Sequence, residues 1–159
     1  NGVDPLNCDI NTPFDLIFDS SNILYFTDFG NSVIRSVNFS GAPIINTYAG
    51  QVGMNMFSGN DGELRTMTQI NQPLALTIDS SDNIYFSSFN YLIRKINNID
   101  GLVNTITGQL GSSGYSGDGG LARDAEIDIA NDLLFYNNNL FFLNFYHSTL
   151  LSNIDDQYS

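Results

Sequence analysis

The stretch Leu16-Ile17-Phe18-Asp19-Ser20-Ser21-Asn22-Ile23-Leu24-Tyr25-Phe26 decides the reading of this chain. It returns 60 residues later as Leu76-Thr77-Ile78-Asp79-Ser80-Ser81-Asp82-Asn83-Ile84-Tyr85-Phe86. Self-similarity at a fixed spacing marks repeat architectures, and the flanks of this pair extend it. Upstream, Ile10-Asn11-Thr12-Pro13 is echoed by Ile70-Asn71-Gln72-Pro73. Downstream, Val33-Ile34-Arg35-Ser36-Val37 matches Leu92-Ile93-Arg94-Lys95-Ile96, and Asn46-Thr47-Tyr48-Ala49-Gly50-Gln51 matches Asn104-Thr105-Ile106-Thr107-Gly108-Gln109. Phe57-Ser58-Gly59-Asn60-Asp61-Gly62 then matches Tyr115-Ser116-Gly117-Asp118-Gly119. A third copy begins with Leu133-Leu134-Phe135-Tyr136 and Leu140-Phe141-Phe142-Leu143-Asn144-Phe145, and places Thr149-Leu150-Leu151 where the second has Leu92-Ile93-Arg94. The sequence ends at Ser159, before a counterpart of residues 104–108.

Within each copy, short runs rich in Ile, Val, Phe and Tyr alternate with Asn, Asp, Ser and Gly clusters, the pattern of strands and turns. Asp19-Ser20-Ser21-Asn22 and Asp79-Ser80-Ser81-Asp82 read as hairpin turns, because Asx and Ser side chains bond their own backbone there. Asn137-Asn138-Asn139 takes that place in the third copy, and Asn tolerates left-handed backbone. Four strands per copy follow, at 14–19, 23–28, 33–38 and 44–49 in the first. Residues 50–72 read as a long loop. Segments 64–70 and 121–127 each have room for a short turn of helix. Four short antiparallel strands per repeated unit spell a propeller blade. A lone blade cannot bury its own faces, so Leu16, Phe18, Leu24, Phe26, Leu76, Ile78, Ile84 and Phe86 are expected to pack between blades.

Composition narrows the partners. The chain has 159 residues, 42% hydrophobic and 13% aromatic, enough for a folded core. Its charges are one-sided, 17 acidic residues against five basic, a formal net charge of −12. Such a polyanion repels phosphate backbones and anionic membrane surfaces. Nucleic acid is therefore excluded as the expected partner. No run approaches the ~20 apolar residues of a membrane span. The start at Asn1 suggests a processed chain or a piece of a longer one, and no signal peptide is visible. Cys8 is the single cysteine, so an internal disulfide is impossible. It reads as a small buried hydrophobe, or in a secreted chain as a free or intermolecular thiol.

The repeat resembles the NHL type of β-propeller in its long variant. The first copy carries Pro13, Asp19, Asn22, Tyr25, Asp28, Gly30-Asn31, Ile34-Arg35, Ala49-Gly50 and Asn71-x-Pro73. The second carries Gly114-Tyr115-Ser116-Gly117-Asp118-Gly119-Gly120-Leu121-Ala122-Arg123-Asp124-Ala125, the most specific part of the likeness. The resemblance implies an all-β chain of about 2.5–3 four-stranded blades, part of a six-bladed ring of roughly 350 residues or of a larger assembly. Residues 1–11 would end a preceding loop, 12–72 form blade one with its long loop, 73–130 blade two with its own, and 131–159 an incomplete blade three. The open ends would expose strand edges and apolar faces. The missing neighbours are expected to be other copies, a larger assembly or the rest of a longer protein. The pattern breaks at Ser88 and Asn144, which replace Asp28, and at Leu150-Leu151, which replaces Ile-Arg.

Few residues point to chemistry, and no catalytic residue or cofactor is expected. His147 is the lone histidine and reads as a turn residue. The multi-histidine metal sites of amidating lyases, which share this propeller type, cannot be assembled. Asp79 with Asp82, and Asp155 with Asp156, read as solvated turn and tail residues. No Gly-x-Ser-x-Gly elbow is present. Gly117, Asp118, Gly119 and Gly120 lack the Lys-Ser/Thr of a phosphate loop and read as backbone-shaping. Asp118 and Asp61 are expected to accept backbone N–H groups, with loop-bound calcium as the other reading. Arg35 and Arg94 recur at one repeat position and are expected in architectural ion pairs. Asn38-Phe39-Ser40 is a glycosylation sequon. Together these point to a non-catalytic extracellular or cell-surface module that contacts protein. The alternatives are a glycan- or peptide-binding propeller and a piece of an enzyme whose catalytic residues lie elsewhere.

Overall fold

The computed structural model describes residues 4, 7–54 and 60–144, and all its regular elements are antiparallel strands and two short 3-10 turns. Strands β1 (Pro13–Phe18), β2 (Leu24–Asp28), β3 (Val33–Asn38) and β4 (Ile44–Ala49) pair in chain order into sheet 1. Their bounds lie within one residue of the four strands expected. The turns explain why. Asp19 Oδ1 accepts the Ser21 and Ile23 N–H groups, and Asp79 Oδ1 does the same for Ser81 and Asn83. Asn22, Asp82, Asn137 and Asn138 all sit at positive φ, the conformation Asx residues tolerate.

Sheet 2 holds β5 (Glu63–Leu64), β6 (Pro73–Ile78), β7 (Ile84–Ser88), β8 (Leu92–Ile96) and β9 (Leu102–Thr107), in the order β5-β9-β8-β7-β6. The fifth strand comes from the stretch read as a long loop with room for a turn of helix at 64–70. The described residues of 50–72, namely 50–54 and 60–72, form a strap that leaves sheet 1 and pairs β5 with the outer edge of sheet 2. After β5, the Met67 and Thr68 N–H groups both bond Leu64 O, a single helical turn. The second helical expectation resolves to a 3-10 turn at Ala122–Asp124. Sheet 3 contains β10 (Ala130–Tyr136) and β11 (Asn139–Asn144). The remainder of the third copy, with Phe145, His147, Leu150, Leu151, Asp155 and Asp156, lies outside the described residues.

The first strand of each copy, β1, β6 and β10, carries a register shift at its start, between Pro13 and Leu16, Pro73 and Leu76, and Ala130 and Asp132. The bulge recurs with the repeat, as a built-in feature of each copy.

Apolar residues gather between sheets. Tyr25 and Ile34 of sheet 1 meet Leu76, Ile84, Phe86 and Ile96 of sheet 2. Ala75, Tyr85 and Ile93 of sheet 2 meet Leu133, Leu140 and Phe142 of sheet 3. Each sheet thus completes the core of its neighbour, as quasi-one-dimensional repeats must. Four of the eight residues expected to pack between blades behave otherwise, all on the outer face of sheet 1, where among the described residues no further sheet packs. Leu24 and Phe26 pack there with Val37, Ile45 and Cys8, and Leu16 and Phe18 are more than half exposed. Among the described residues the three sheets close no ring.

Candidate functional site

What the repeat builds most clearly is a set of polar fastenings across the seams between sheets. At the first seam, the Thr27 hydroxyl on β2 accepts the Asp15 N–H at 3.0 Å and donates to Leu74 O on β6 at 3.1 Å. At the second, the Ser87 hydroxyl on β7 accepts the Ala75 N–H at 3.0 Å and donates to Ala130 O on β10 at 2.7 Å. Thr27 and Ser87 occupy the same repeat position and are fully buried. Each satisfies an N–H freed by the bulge of its own sheet, together with a carbonyl of the next. A second fastening runs the other way: Asp15 Oδ2 accepts the Leu76 N–H at 2.7 Å, and Thr77 Oγ1 accepts the Phe135 N–H at 3.0 Å. At the turns, Ser20 donates through its N–H and its hydroxyl to the Asp82 carboxylate at 3.0 and 2.6 Å. These bonds hold the Asp82 carboxyl below the usual carboxylate range.

Each turn is also locked from within. The Tyr25 hydroxyl donates to Asp19 Oδ2 at 3.0 Å and the Tyr85 hydroxyl to Asp79 Oδ2 at 3.2 Å. Burial, reinforced by Tyr48 and the bond to Asp19, pushes the Tyr25 pKa well above the ordinary tyrosine value. Tyr48 lies edge-on to Tyr25 at 4.6 Å between ring centroids, and burial raises its pKa as well.

The two repeat arginines are both buried, and each finds a carboxylate by a different route. Arg35 Nε meets Asp28 Oδ2 at 2.9 Å within sheet 1, while its Nη1 donates to Thr47 Oγ1. Sheet 2 has Ser88 in place of Asp28, and its aspartate comes from the strap. Arg94 Nη2 lies 3.4 Å from Asp61 Oδ1 and donates to Asn60 O. Asp61 Oδ1 also accepts the N–H and hydroxyl of Thr105 at 2.7 and 2.9 Å. Burial lowers the Arg94 pKa, and Asp61 opposes that shift. The strap is further pinned by Arg65, whose guanidinium lies 4.6 Å over the Tyr48 ring of sheet 1 while its N–H bonds Gly101 O of sheet 2.

The Gly114–Gly120 loop stands at the matching place after sheet 2. Gly117 and Gly119 have positive φ, and a Cβ on Gly117 would fall 2.8 Å from the Ala125 backbone. The Gly120 N–H bonds Gly117 O, closing a tight turn with Asp118 at its exposed corner. Asp118 makes no hydrogen bond to another described residue, unlike Asp61. Glu126 braces the loop by accepting the Ser112 and Ser116 hydroxyls, which lower its pKa. Among the described residues, no group of three or more His, Cys, Asp or Glu side chains is placed to hold a metal ion. Asp79 and Asp82 are engaged in turn and seam bonds. Asn38 is exposed at the end of β3, and its Oδ1 accepts the Ser40 N–H at 2.8 Å in an Asx turn. Cys8 is half-buried and packs against Phe26, Val37 and Ile45.

Among the described residues two apolar surfaces are open, one at each end of the stack. On sheet 1, Phe14, Leu16 and Phe18 of β1 are each more than half exposed. On sheet 3, Leu134, Tyr136 and Leu143 are as exposed, and with Asp132 and Phe141 they line a groove of about 340 Å³. A third exposed feature is an edge-to-face aromatic ladder at one rim. Phe14 meets Phe29 at 5.0 Å and Phe29 meets Phe89 at 6.0 Å.

Comparison with known proteins agrees with the fold. No family model and no curated protein matches the chain. Among solved structures, it is similar to a structural genomics protein of unknown function from Bacteroides thetaiotaomicron VPI-5482, with a TM-score of 0.71 and 22% identity over 81% of this chain and 32% of that one. It is also similar to an auxiliary nutrient binding protein of the same organism, with a TM-score of 0.61 and 19% identity over 80% of this chain and 33% of that one. The chain therefore spans about a third of the length of either structure. At these identities the likeness is one of fold.

The seam hydroxyls, Asp15 and the strap strand escaped the sequence reading. Thr27 and Ser87 could have been found, because they are hydroxyl residues at one repeat position of central strands, beside the polar Asp28 and Ser88. Asp15 had no such signal, since its counterpart in the second copy is Ala75.

Proposed function

We propose that the chain is a run of consecutive NHL-like propeller blades, the third incomplete, that serves as a non-catalytic scaffold contacting protein through its end faces. One observation carries the reading: fastened, apolar seams repeat through the stack, and the same kind of apolar face stands open at both ends. Burying a Leu or Phe side chain contributes about 1.5–3 kcal/mol, so the five such residues exposed on the two faces are a large unrealised stabilisation. The buried seam hydroxyls of Thr27 and Ser87 are committed to fastenings between sheets, which fits a structural part. An extracellular or cell-surface setting fits the exposed Asx turn of the Asn38 sequon and the acidic surface. The direct test is binding of an apolar dye to the isolated chain. Strong, saturable binding that falls when Leu134 or Leu16 becomes Asp supports the reading; a chain that binds no dye and changes with neither substitution refutes it.

A second reading is favoured by the Phe14–Phe29–Phe89 ladder, an exposed aromatic surface on which a sugar or peptide could stack. The nutrient binding named for the second structural neighbour accords with it. Saturable binding on a glycan or peptide array, lost in Phe29→Ala, would favour this reading over the first.

A further inference from the structure

The two open faces carry the two halves of one more seam, and we propose that they meet: two copies of this chain join head to tail, β10–β11 of one against β1 of the next. This rests on the end faces being contact surfaces and adds which partner fills them.

The register supports it first. In the seam between sheets 1 and 2, Asp15, Ile17 and Thr27 of the leading sheet face Leu74, Leu76 and Ile78 of the following one. The repeat puts Asp132, Leu134 and Leu143 of sheet 3 at the leading positions, and Phe14, Leu16 and Phe18 of sheet 1 at the following positions. Asp132 thereby stands where Asp15 stands, placed to compete for the Leu16 N–H of a second copy, which within that copy bonds Asp15 Oδ1 at 2.8 Å. The contact continues an interface the molecule already makes twice.

The departures of the third copy support it next, because they change together. Tyr136 replaces the turn aspartate of Asp19 and Asp79, and Phe141 replaces its tyrosine partner of Tyr25 and Tyr85, so both members of the turn lock are lost at once. Leu143 replaces the seam hydroxyl of Thr27 and Ser87. Three positions have lost their polar devices, and Tyr136, Phe141 and Leu143 line the 340 Å³ groove. The opposite end changes in the complementary sense, since Phe14 and Phe18 stand where sheet 2 has the smaller Leu74 and Ile78. An emptier, drier groove at one end is matched by bulkier side chains at the other.

The interface is heterologous, using different patches on the two copies, so it closes a ring or continues as a filament. That property gives the test. The wild-type chain is examined by sedimentation velocity alongside Leu16→Asp, which spoils one face, and Leu134→Asp, which spoils the other. Both positions are exposed, and retained thermal midpoints verify that each variant folds. Phe14→Lys with Leu143→Lys provides an independent pair. The expected result is a wild type at or above twice the 17.5 kDa chain mass. Each variant alone is expected to be monomeric, and the mixed variants to form a 1:1 dimer through the one intact pair of faces. Assembly strengthens with added salt, which screens the −12 charge of each copy. A monomeric wild type, a single variant that still self-associates, or a mixture that stays monomeric would each overturn the proposal. A monomer that still binds apolar dye removes self-pairing and leaves the end faces as surfaces for another protein; a monomer without dye binding removes both.

Discussion

Ser87 shows how much one atom carries in this chain. Its hydroxyl is the acceptor for Ala75 N–H and the donor to Ala130 O, in a fully buried place. Ser87→Ala leaves both backbone groups without that partner, and a buried unsatisfied group costs about 1–3 kcal/mol. A chemical denaturation midpoint should fall accordingly, while Ser87→Thr, the residue used at position 27, should retain most of the stability. Tyr25 makes the stack sensitive to alkali. Its folded pKa is raised above the ordinary value, so the folded state holds the proton more tightly than the unfolded chain. The associated stability is whole below about pH 10, the unfolded tyrosine value, and declines as pH rises above it. Thermal melts across that range should show the decline, and Tyr25→Phe, which has no proton to lose, should show less of it. The reverse sign holds for Asp82, whose lowered pKa makes its seam bond a contribution that fades in acid.

The elements themselves were largely legible, and the reason lies in the turns. Asp19 and Asp79 announce their hairpins by residue type, and the strand runs between them need no more than alternation and β-branched content. The strap was illegible because its single strand is two residues long, Glu63–Leu64, and its pairing is made with a sheet of the following copy. Nothing in local propensity marks such a strand. Asp61 was legible as a backbone acceptor, while its approach to Arg94 was not, because the pair is brought together by the strap. Asp61→Ala should therefore loosen the outer edge of sheet 2 by about 1–3 kcal/mol, read as faster hydrogen exchange at Thr105. The exit from sheet 2 after β9 is also strict, at Gly108. A Cβ there would lie 2.0 Å from Tyr91 O, and its φ is +98°. Gly108→Ala should cost well over ~1 kcal/mol, whereas Gly41→Ala, with nothing within 4 Å, should stay within about 0.5 kcal/mol.

At the scale of the molecule, the repeat foretold that sheets would bury one another and that the outermost would be left bare. It also placed Leu16 and Phe18 in a core, because a repeat position says which face a side chain takes and leaves open whether a neighbour is there. That is the physical limit of reading one copy by analogy with another: Leu76 is buried by sheet 1, and among the described residues no sheet packs on Leu16. The site follows the same logic. Its fastenings cross between copies, so they became visible only once the copies were set side by side.

Hydrogen exchange resolved to single amides tests most directly whether the sheets form one fastened stack. The amides of Leu76 and Phe135 bond side chains of an adjacent sheet, Asp15 and Thr77. Protection at both comparable to that of the sheet interiors is the predicted result. Exchange at both as rapid as at exposed turn amides, with the sheet interiors still protected, would mean that the sheets fold side by side without the seams, and would contradict the account.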